Sequence, residues 1–230
     1  MRNDETNYDR RLLTEEDIRE MVLRLAHEIR NPLATIKSGV QLIERLTSPV
    51  GEIAEHFAGV LAQVGRIDQT VHDMQRFVRL AAEEPTGLRA ADVAEAAAAD
   101  VRDDAEGRSV RVLLAGDRGT RVLAGAAQIR EALVELVSNA VTFSPPGSTV
   151  IVSWTALESG EVAFHVDDEG AGVRPEHADR ILRPFFSTST QGTGLGLNIA
   201  EKICRLAGGR LEWRNLAGRG CRFTLALRGV

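Results

Sequence analysis

The stretch VLRLAHEIRNPLATIKSGVQLI, residues 22–43, decides the fold of the first part of the chain. Its apolar residues recur at alternating steps of four and three. They are Val22, Ala26, Ile29, Leu33, Ile36, Val40 and Ile43. This spacing forms one stripe along an α-helix and is typical of helices that pack side by side. Pro32 lies inside the run, where we expect it to kink the helix rather than end it.

The capping-box pattern TEED at 14–17 predicts the start of this helix. TSPVG at 47–51 has the composition of a turn, and a second apolar stripe follows it. The second stripe consists of Phe57, Val60, Val64, Ile67, Val71, Met74 and Val78. A single hairpin of two helices has few layers in which to bury these stripes. We therefore expect two copies of the chain to pair as a four-helix bundle, which makes the protein a homodimer.

The periodicity changes after EEPTGL at 83–88, which we predict to be a linker. The predicted strands beyond it are VRVLLAG, RVLAG, STVIVSWTAL, EVAFHVDD, RLEWRN and CRFTLALR. The predicted helices are an alanine-rich segment at about 90–105, AQIREALVELVSNAV and LGLNIAEKICRLAG. Without regular βαβ alternation, this order predicts an α+β sandwich with one sheet beneath a layer of helices. The expected division is a lead-in at 1–13, a helical domain at 14–82, the linker and a second domain at 89–230.

Composition narrows the class of protein. The net charge is −5 and no dense basic run occurs, so we expect no nucleic-acid partner. Cys204 and Cys221 lack metal-ligand spacing, and two cysteines alone suggest a reducing compartment. No apolar stretch approaches the roughly 18 residues that span a bilayer. We therefore expect a cytoplasmic chain that does not itself insert into a membrane, with any membrane sensor elsewhere.

Two oxygen-bearing side chains stand four residues apart in the helix AQIREALVELVSNAV. Glu135 and Asn139 project from one face of it. A carboxylate and an amide oxygen on one face suit a hard cation such as Mg²⁺. Such pairs are also common on solvated helices, so both interpretations stay open for this pair alone.

Glycine-rich segments form two further clusters. In VDDEGAGV, 166–173, an acid ends a strand, and the glycines after it permit a flat ligand to come close. In TQGTGLGL, 190–197, alternate glycines lead into a helix and predict a phosphate cradle. Neither completes the dinucleotide-binding fingerprint, and a plain turn and a flexible connection are the alternatives. Between them, RPFFST at 183–188 fits either an aromatic lid or a core anchor.

Taken together, these motifs resemble the H, N, first-glycine, F and second-glycine boxes of bacterial sensor histidine kinases, most closely the nitrogen-regulation branch. The matching segments are HEIRNP, ELVSNA, DEGAG, PFFST and GTGLGL, and the likeness spans roughly residues 20–227. The resemblance implies an all-α helical hairpin in a dimeric four-helix bundle. An α+β sandwich ATP-binding domain of the gyrase/chaperone/histidine-kinase type would follow it. ATP and Mg²⁺ are the implied cofactors.

The same resemblance implies roles for single residues. Asn139 would ligate Mg²⁺, and Asp168 would accept a hydrogen bond from the adenine amino group. Glu135 stands where these kinases often carry Asn, and where the related ATPases carry the base that activates water. The remaining nucleotide contacts would be Gly170, Gly172, Phe186, Gly192, Thr193, Gly194, Leu195 and Gly196, with a lid between residues 174 and 191.

His27 is the implied phosphoacceptor. It follows Ala26, a stripe position, so we expect it to be exposed beside the stripe. Glu28 would orient or accept the second imidazole proton, and Asn31 resembles the amide that orients water for dephosphorylation. The implied activity is autophosphorylation on His27 and phosphoryl transfer to an aspartate of a response regulator receiver domain, with phosphatase activity toward it. Taken alone, His27 also fits a packed or merely solvated helix histidine. The other histidines, namely His56, His72, His165 and His177, are predicted to be structural.

Alternatives stay open at this level. One is a nucleotide-binding pseudokinase or phosphotransfer scaffold. Another is an ATPase conformational switch without a phosphohistidine, which Glu135 favours. Thr142 and Ser189 replace residues that are often basic in the family, which predicts lower ATP affinity unless arginines such as Arg174 or Arg183 substitute for them.

Overall fold

A computed structural model of the chain describes residues 15–48, 50–189 and 192–230. Two compact units divide the chain between Arg79 and Leu80. The predicted lead-in at 1–13 lies outside the described residues. So do Thr14 and the Asp17 side chain of the expected capping box, and Pro49 of the expected turn.

The first unit is a hairpin of two long helices, as predicted. Helix α1 spans Glu15–Thr47 and continues through Pro32, and helix α2 spans Glu52–Arg79. Gly51, immediately before α2, has a φ of +61°, a conformation that a residue without a Cβ adopts readily.

The apolar stripes of the hairpin are buried in part. Ala26 and Leu33 on α1, and Val64 and Val71 on α2, are buried within the hairpin. A second set at seven-residue spacing is 37% to 49% exposed, namely Ile29, Ile36 and Ile43 on α1 with Val60 and Ile67 on α2. Each helix therefore carries an uncovered apolar face as well as a buried one. Among the helices that the structure describes, none has the length and apolarity needed to cross a bilayer.

The second unit contains two sheets. Its elements are β1 (Thr86–Arg89), α3 (Ala90–Asp100), α4 (Arg102–Gly107), β2 (Arg111–Gly116), β3 (Arg121–Ala124), α5 (Ala126–Phe143), β4 (Thr149–Ala156), β5 (Glu161–Asp167), a 3-10 helix (Pro175–His177), α6 (Gly196–Leu206), β6 (Arg210–Asn215) and β7 (Cys221–Arg228). The main sheet has the strand order β2-β4-β5-β7-β6. Only β2 and β4 pair in parallel, and the other neighbours are antiparallel. Strands β1 and β3 form a separate antiparallel pair.

Helices α3, α5 and α6 pack on one face of the main sheet. Strand β4 shows the resulting alternation, because Val150 and Val152 are buried whereas Ile151 between them is exposed. Successive side chains of a strand point to opposite faces, so one face of β4 meets the helices and the other does not. The predicted α+β sandwich is confirmed.

The sequence predictions need three corrections. Residues 86–88, placed in the linker, lie in β1, because this segment pairs with β3. Upstream of β1, the Gln128 side chain donates a hydrogen bond to the Ala81 carbonyl, and the Gln128 backbone amide lies 3.5 Å from a Glu83 carboxylate oxygen. Much of the predicted linker is therefore held within the second unit. The helix expected at about 90–105 is divided into α3 and α4, and RVLAG pairs with β1 rather than joining the main sheet.

Candidate functional site

A cavity of about 720 Å³ opens in the second unit among α5, the end of β5, the segment after the 3-10 helix and the start of α6. Most of the predicted nucleotide-binding residues line it, namely Glu135, Asn139, Asp168, Gly172, Phe186, Gly192, Thr193, Gly194 and Gly196. Segments far apart in the sequence thus converge on one concave surface. Thr190 and Gln191, at the end of the predicted lid, lie outside the described residues.

Two predicted contacts do not line the cavity. The Gly170 amide donates a hydrogen bond of 2.7 Å to Oδ1 of Asp168, and a Cβ at Gly170 would lie 2.7 Å from the Phe143 carbonyl oxygen. Leu195 is only 2% exposed and immediately precedes α6. Both residues therefore lie behind the cavity wall and contact or adjoin the residues that form it.

Asp168 is a buried carboxylate of the site, held by two backbone amides. It is 6% exposed, and its Oδ1 accepts hydrogen bonds from the amides of Gly170 at 2.7 Å and Cys221 at 3.2 Å. Burial raises the pKa of Asp168, and these two hydrogen bonds offset only part of the effect. Both amides bind the same oxygen, so Oδ2 has neither of these bonds. A fixed carboxylate whose Oδ2 accepts neither of these backbone hydrogen bonds is suited to accept one from the amino group of a ligand.

The loop after β5 is held by a side chain from β6. Asn215 accepts a hydrogen bond from the Val173 amide and donates one to the Val173 carbonyl, each at 2.8 Å. Gly172 has a φ of +73°, and a Cβ there would lie 2.9 Å from Oδ1 of Asn215. Glycine is thus required here for conformation and for space.

Glu135 approaches the start of α6. A Cβ added at Gly196, the first residue of that helix, would lie 2.6 Å from the Glu135 carboxylate oxygen Oε2. Asn139 lies one turn further along α5 and also lines the cavity. An amide and a carboxylate oxygen one helical turn apart fit Mg²⁺, which takes few protein ligands and completes its shell with water and substrate phosphates. The residues present therefore fit this ion.

Sequence reasoning missed several residues of the cavity wall. His177, predicted to be structural, lines the cavity, as does Cys221. Arg174 also lines it and lies 3.9 Å from Glu176 in an exposed ion pair. No local pattern marks His177 or Cys221, because the fold brings them to the cavity. Arg174 was not missed, because the absence of a basic residue at Thr142 had already pointed to it in the sequence.

The predicted phosphoacceptor segment lies on α1 in the first unit. His27, Glu28 and Asn31 are all exposed, whereas the neighbouring Ala26 is fully buried. His27 therefore stands beside the buried stripe, as expected from its position after Ala26. Exposure leaves the imidazole accessible to a reaction partner.

Comparisons with known proteins agree with both units. The His Kinase A (phospho-acceptor) domain family matches residues 17–83. The family of histidine kinase-, DNA gyrase B- and HSP90-like ATPases matches residues 124–229. The chain belongs to the bacterial two-component sensor histidine kinases.

Relatives of this family cover nearly all of the chain. The phosphate regulon sensor protein PhoR of Pseudomonas aeruginosa is 29% identical over 220 residues, which is 90% of this chain and 49% of that protein. The sensor histidine kinase ZraS of Escherichia coli K12 is 32% identical over 211 residues, which is 88% of this chain and 44% of that protein. The chain thus spans about half the length of these relatives. Membership of the nitrogen-regulation branch stays a prediction.

Solved structures share the architecture. Full-length ShkA, crystallised in complex with AMPPNP, superposes with a TM-score of 0.72 at 25% identity, covering 92% of this chain and 46% of that one. Acinetobacter baumannii AdeS superposes with a TM-score of 0.64 at 23% identity, covering 88% of this chain and 97% of that one. The second likeness concerns the fold alone.

Proposed function

We propose that this chain uses ATP to phosphorylate itself on His27 and then passes the phosphoryl group to an aspartate of a response regulator. The observation that carries the proposal is the convergence of Glu135, Asn139, Asp168 and the glycine loops on one cavity. The same chain presents an exposed histidine in a phospho-acceptor domain.

Within this proposal, the cavity binds ATP with Mg²⁺. Asp168 accepts a hydrogen bond from the adenine amino group, and Gly172 lets the base lie close. The backbone amides of 192–196 and the start of α6 bind the phosphates, because helix N-termini attract anions. Asn139 would hold Mg²⁺, which would neutralise charge on the phosphates. The AMPPNP complex of the related ShkA supports this assignment.

His27 is the nucleophile. One imidazole nitrogen attacks the γ-phosphorus in line, an N–P bond forms, the bond from phosphorus to the bridging oxygen breaks, and ADP leaves. The other ring nitrogen carries the proton, which Glu28 orients or accepts. Phosphoryl transfer to the receiver aspartate then regenerates the imidazole. Asn31, one turn along α1, orients water for the phosphatase reaction.

The protein acts as a homodimer within the cytoplasm. The uncovered stripes of the hairpin support the dimer, because a second hairpin would bury them in a four-helix bundle. Two buried, unpaired cysteines fit a reducing compartment.

Incubation with Mg²⁺ and γ-labelled ATP tests the proposal, with His27→Ala and Asp168→Asn beside the wild type. The expected wild-type label resists alkali, is lost in acid and is absent from His27→Ala. Label that persists in His27→Ala removes His27 from its role. Addition of a receiver domain should then move the label to an acid-stable aspartyl phosphate.

A second candidate function is an ATPase conformational switch. Its support is the Glu135 carboxylate in the cavity beside α6, where a base would activate water. Slow release of phosphate without any phosphoprotein, abolished in Glu135→Gln, would favour this function. Formation of phosphohistidine in the wild type would contradict this function, and phosphate release that persists in Glu135→Gln would remove Glu135 as the base that activates water.

A further inference from the structure

Phe186 lies between two side chains from the segment that begins with the 3-10 helix. The His177 and Phe186 rings are 5.3 Å apart at their centroids and inclined at 58°. The Arg180 guanidinium carbon lies 4.5 Å from the centroid of the same phenyl ring. Tilted ring pairs and cations near an aromatic ring at these distances attract one another. Phe186 is therefore held by two contacts from one short segment.

The backbone around Phe186 is anchored at two further points. The Phe185 amide donates a hydrogen bond of 3.0 Å to the Gly194 carbonyl in the second glycine loop. The Asn198 side chain on α6 donates one of 2.6 Å to the Leu182 carbonyl. Both bonds fix the backbone that precedes Phe186 in the sequence. The orientation of the phenyl ring then depends on the side chains that pack against it.

His177 acts in this cluster through its ring. Its Nδ1 is buried and has no hydrogen-bond partner among the described residues. In the part of the chain that the structure describes, no hydrogen bond at Nδ1 therefore orients the imidazole, whereas its ring is in contact with Phe186. His177 and Phe186 both line the cavity.

We propose that His177 and Arg180 are positioning residues that hold the Phe186 ring against bound nucleotide. This inference rests on the proposed function, because it assigns residues to the same nucleotide cavity. His177 supplies a flat surface that sets the tilt of the phenyl ring, and Arg180 holds the ring through its guanidinium group. Ordering the ring before the nucleotide arrives reduces the entropy lost on binding. The effect therefore appears in nucleotide affinity more than in the chemical step.

The test measures ADP affinity by calorimetry, together with KM and kcat for autophosphorylation, in His177→Ala, His177→Phe, His177→Gln and Arg180→Ala. We expect His177→Ala and Arg180→Ala each to raise Kd and KM by about 3- to 10-fold, the size that one ring contact contributes. The value of kcat should change little. His177→Phe should retain most of the affinity because it keeps a flat ring, whereas His177→Gln should behave like the alanine variant. Asp179→Ala, an exposed neighbour between the two residues, is the matched control.

The outcomes separate the two levels of the proposal. A wild type that binds no nucleotide overturns the proposed function and this inference together. A wild type that binds normally, with unchanged Kd and KM in both His177→Ala and Arg180→Ala, overturns only the inference. Nucleotide affinity that is retained in His177→Gln but lost in His177→Phe would assign His177 a hydrogen-bonding role. That result would also overturn the inference. Thermal unfolding of each variant identifies any that do not fold. If the His177 variants do not fold, Arg180→Ala still tests whether contacts to the Phe186 ring contribute to nucleotide affinity.

Discussion

The backbone amide of Cys221, at the start of β7, donates a hydrogen bond of 3.2 Å to Oδ1 of Asp168, the residue that follows β5. Gly220, just before it, has a φ of +90°, and a Cβ there would lie 1.8 Å from the Asp168 carbonyl oxygen. Two neighbouring strands thus meet at the carboxylate that we assign to adenine. Its orientation is set by backbone atoms before a ligand arrives.

Asp168→Asn should weaken ATP binding by about 10- to 150-fold, the range expected for losing a hydrogen bond to a charged group. Calorimetric titration with ADP or a non-hydrolysable analogue measures the change. Asp167→Asn is the matched control. Asp167 is paired with Arg222 by hydrogen bonds of 2.6 and 2.5 Å, and adjacent residues of a strand point to opposite faces. The control should lose stability but keep its affinity for nucleotide, and equal losses of affinity would contradict the adenine role.

Acid should weaken nucleotide binding and, through the same group, favour the folded state. Burial raises the pKa of Asp168 above its ordinary value of 3.8. As the pH falls through the raised value, the carboxylate that accepts the adenine hydrogen bond is lost. For folding the sign is opposite, since the folded state holds the proton more tightly. This contribution to stability is fully present below 3.8 and is lost as the pH rises through the raised value. Affinities and urea unfolding across the acidic range should show both trends, and Asp168→Asn should flatten both.

Gly194→Ala should reduce nucleotide affinity at least about tenfold, whereas Gly208→Ala should not. Both glycines have a φ of +72°, so both substitutions carry the same conformational cost, about 1–2 kcal/mol. Only at Gly194 would the new Cβ meet backbone, 2.6 Å from the Phe185 carbonyl carbon, while at Gly208 nothing lies within 4 Å. Nucleotide titration and thermal unfolding of the two variants distinguish the effects. Similar affinity in both would show that the close approach of the glycine loop to Phe185 does not matter for binding.

Ile36→Glu should convert the dimer to a monomer, because it places a charge on the uncovered stripe of α1. Ile36 is 47% exposed in the single chain, and burial of a carboxylate in an apolar dimer interface is unfavourable. Light scattering after size-exclusion chromatography gives the mass. Lys37→Glu, the exposed neighbour, should remain dimeric. A dimeric Ile36→Glu variant would mean that the hairpins do not pair through this stripe.

Local periodicity predicted the helices and most strands because each signal lies within its own element. The stripe through Ala26 and Leu33 is one example, and the helix carrying Glu135 is another. Strand β1 was not predictable in this way, since TGLR becomes a strand only by pairing with β3, a segment more than thirty residues away. The sequence motifs correctly predicted most of the nucleotide-site residues that line the cavity. His177 was missed because nothing in its neighbourhood reveals that Phe186 will pack against it.

Glu83 has a consequence for the helix that carries Glu135 and Asn139. Helix α5 begins after Gly125, without a side-chain cap and without an acidic residue in its first turn. The Glu83 carboxylate lies 3.5 Å from the Gln128 amide in that turn. There its negative charge interacts favourably with the positive end of the helix macrodipole. The segment between α2 and β1 is thus more than a spacer, because its Glu83 stabilises the N-terminus of α5. A flexible linker of the same length without the Glu83 carboxylate would therefore leave the first turn of α5 prone to fray.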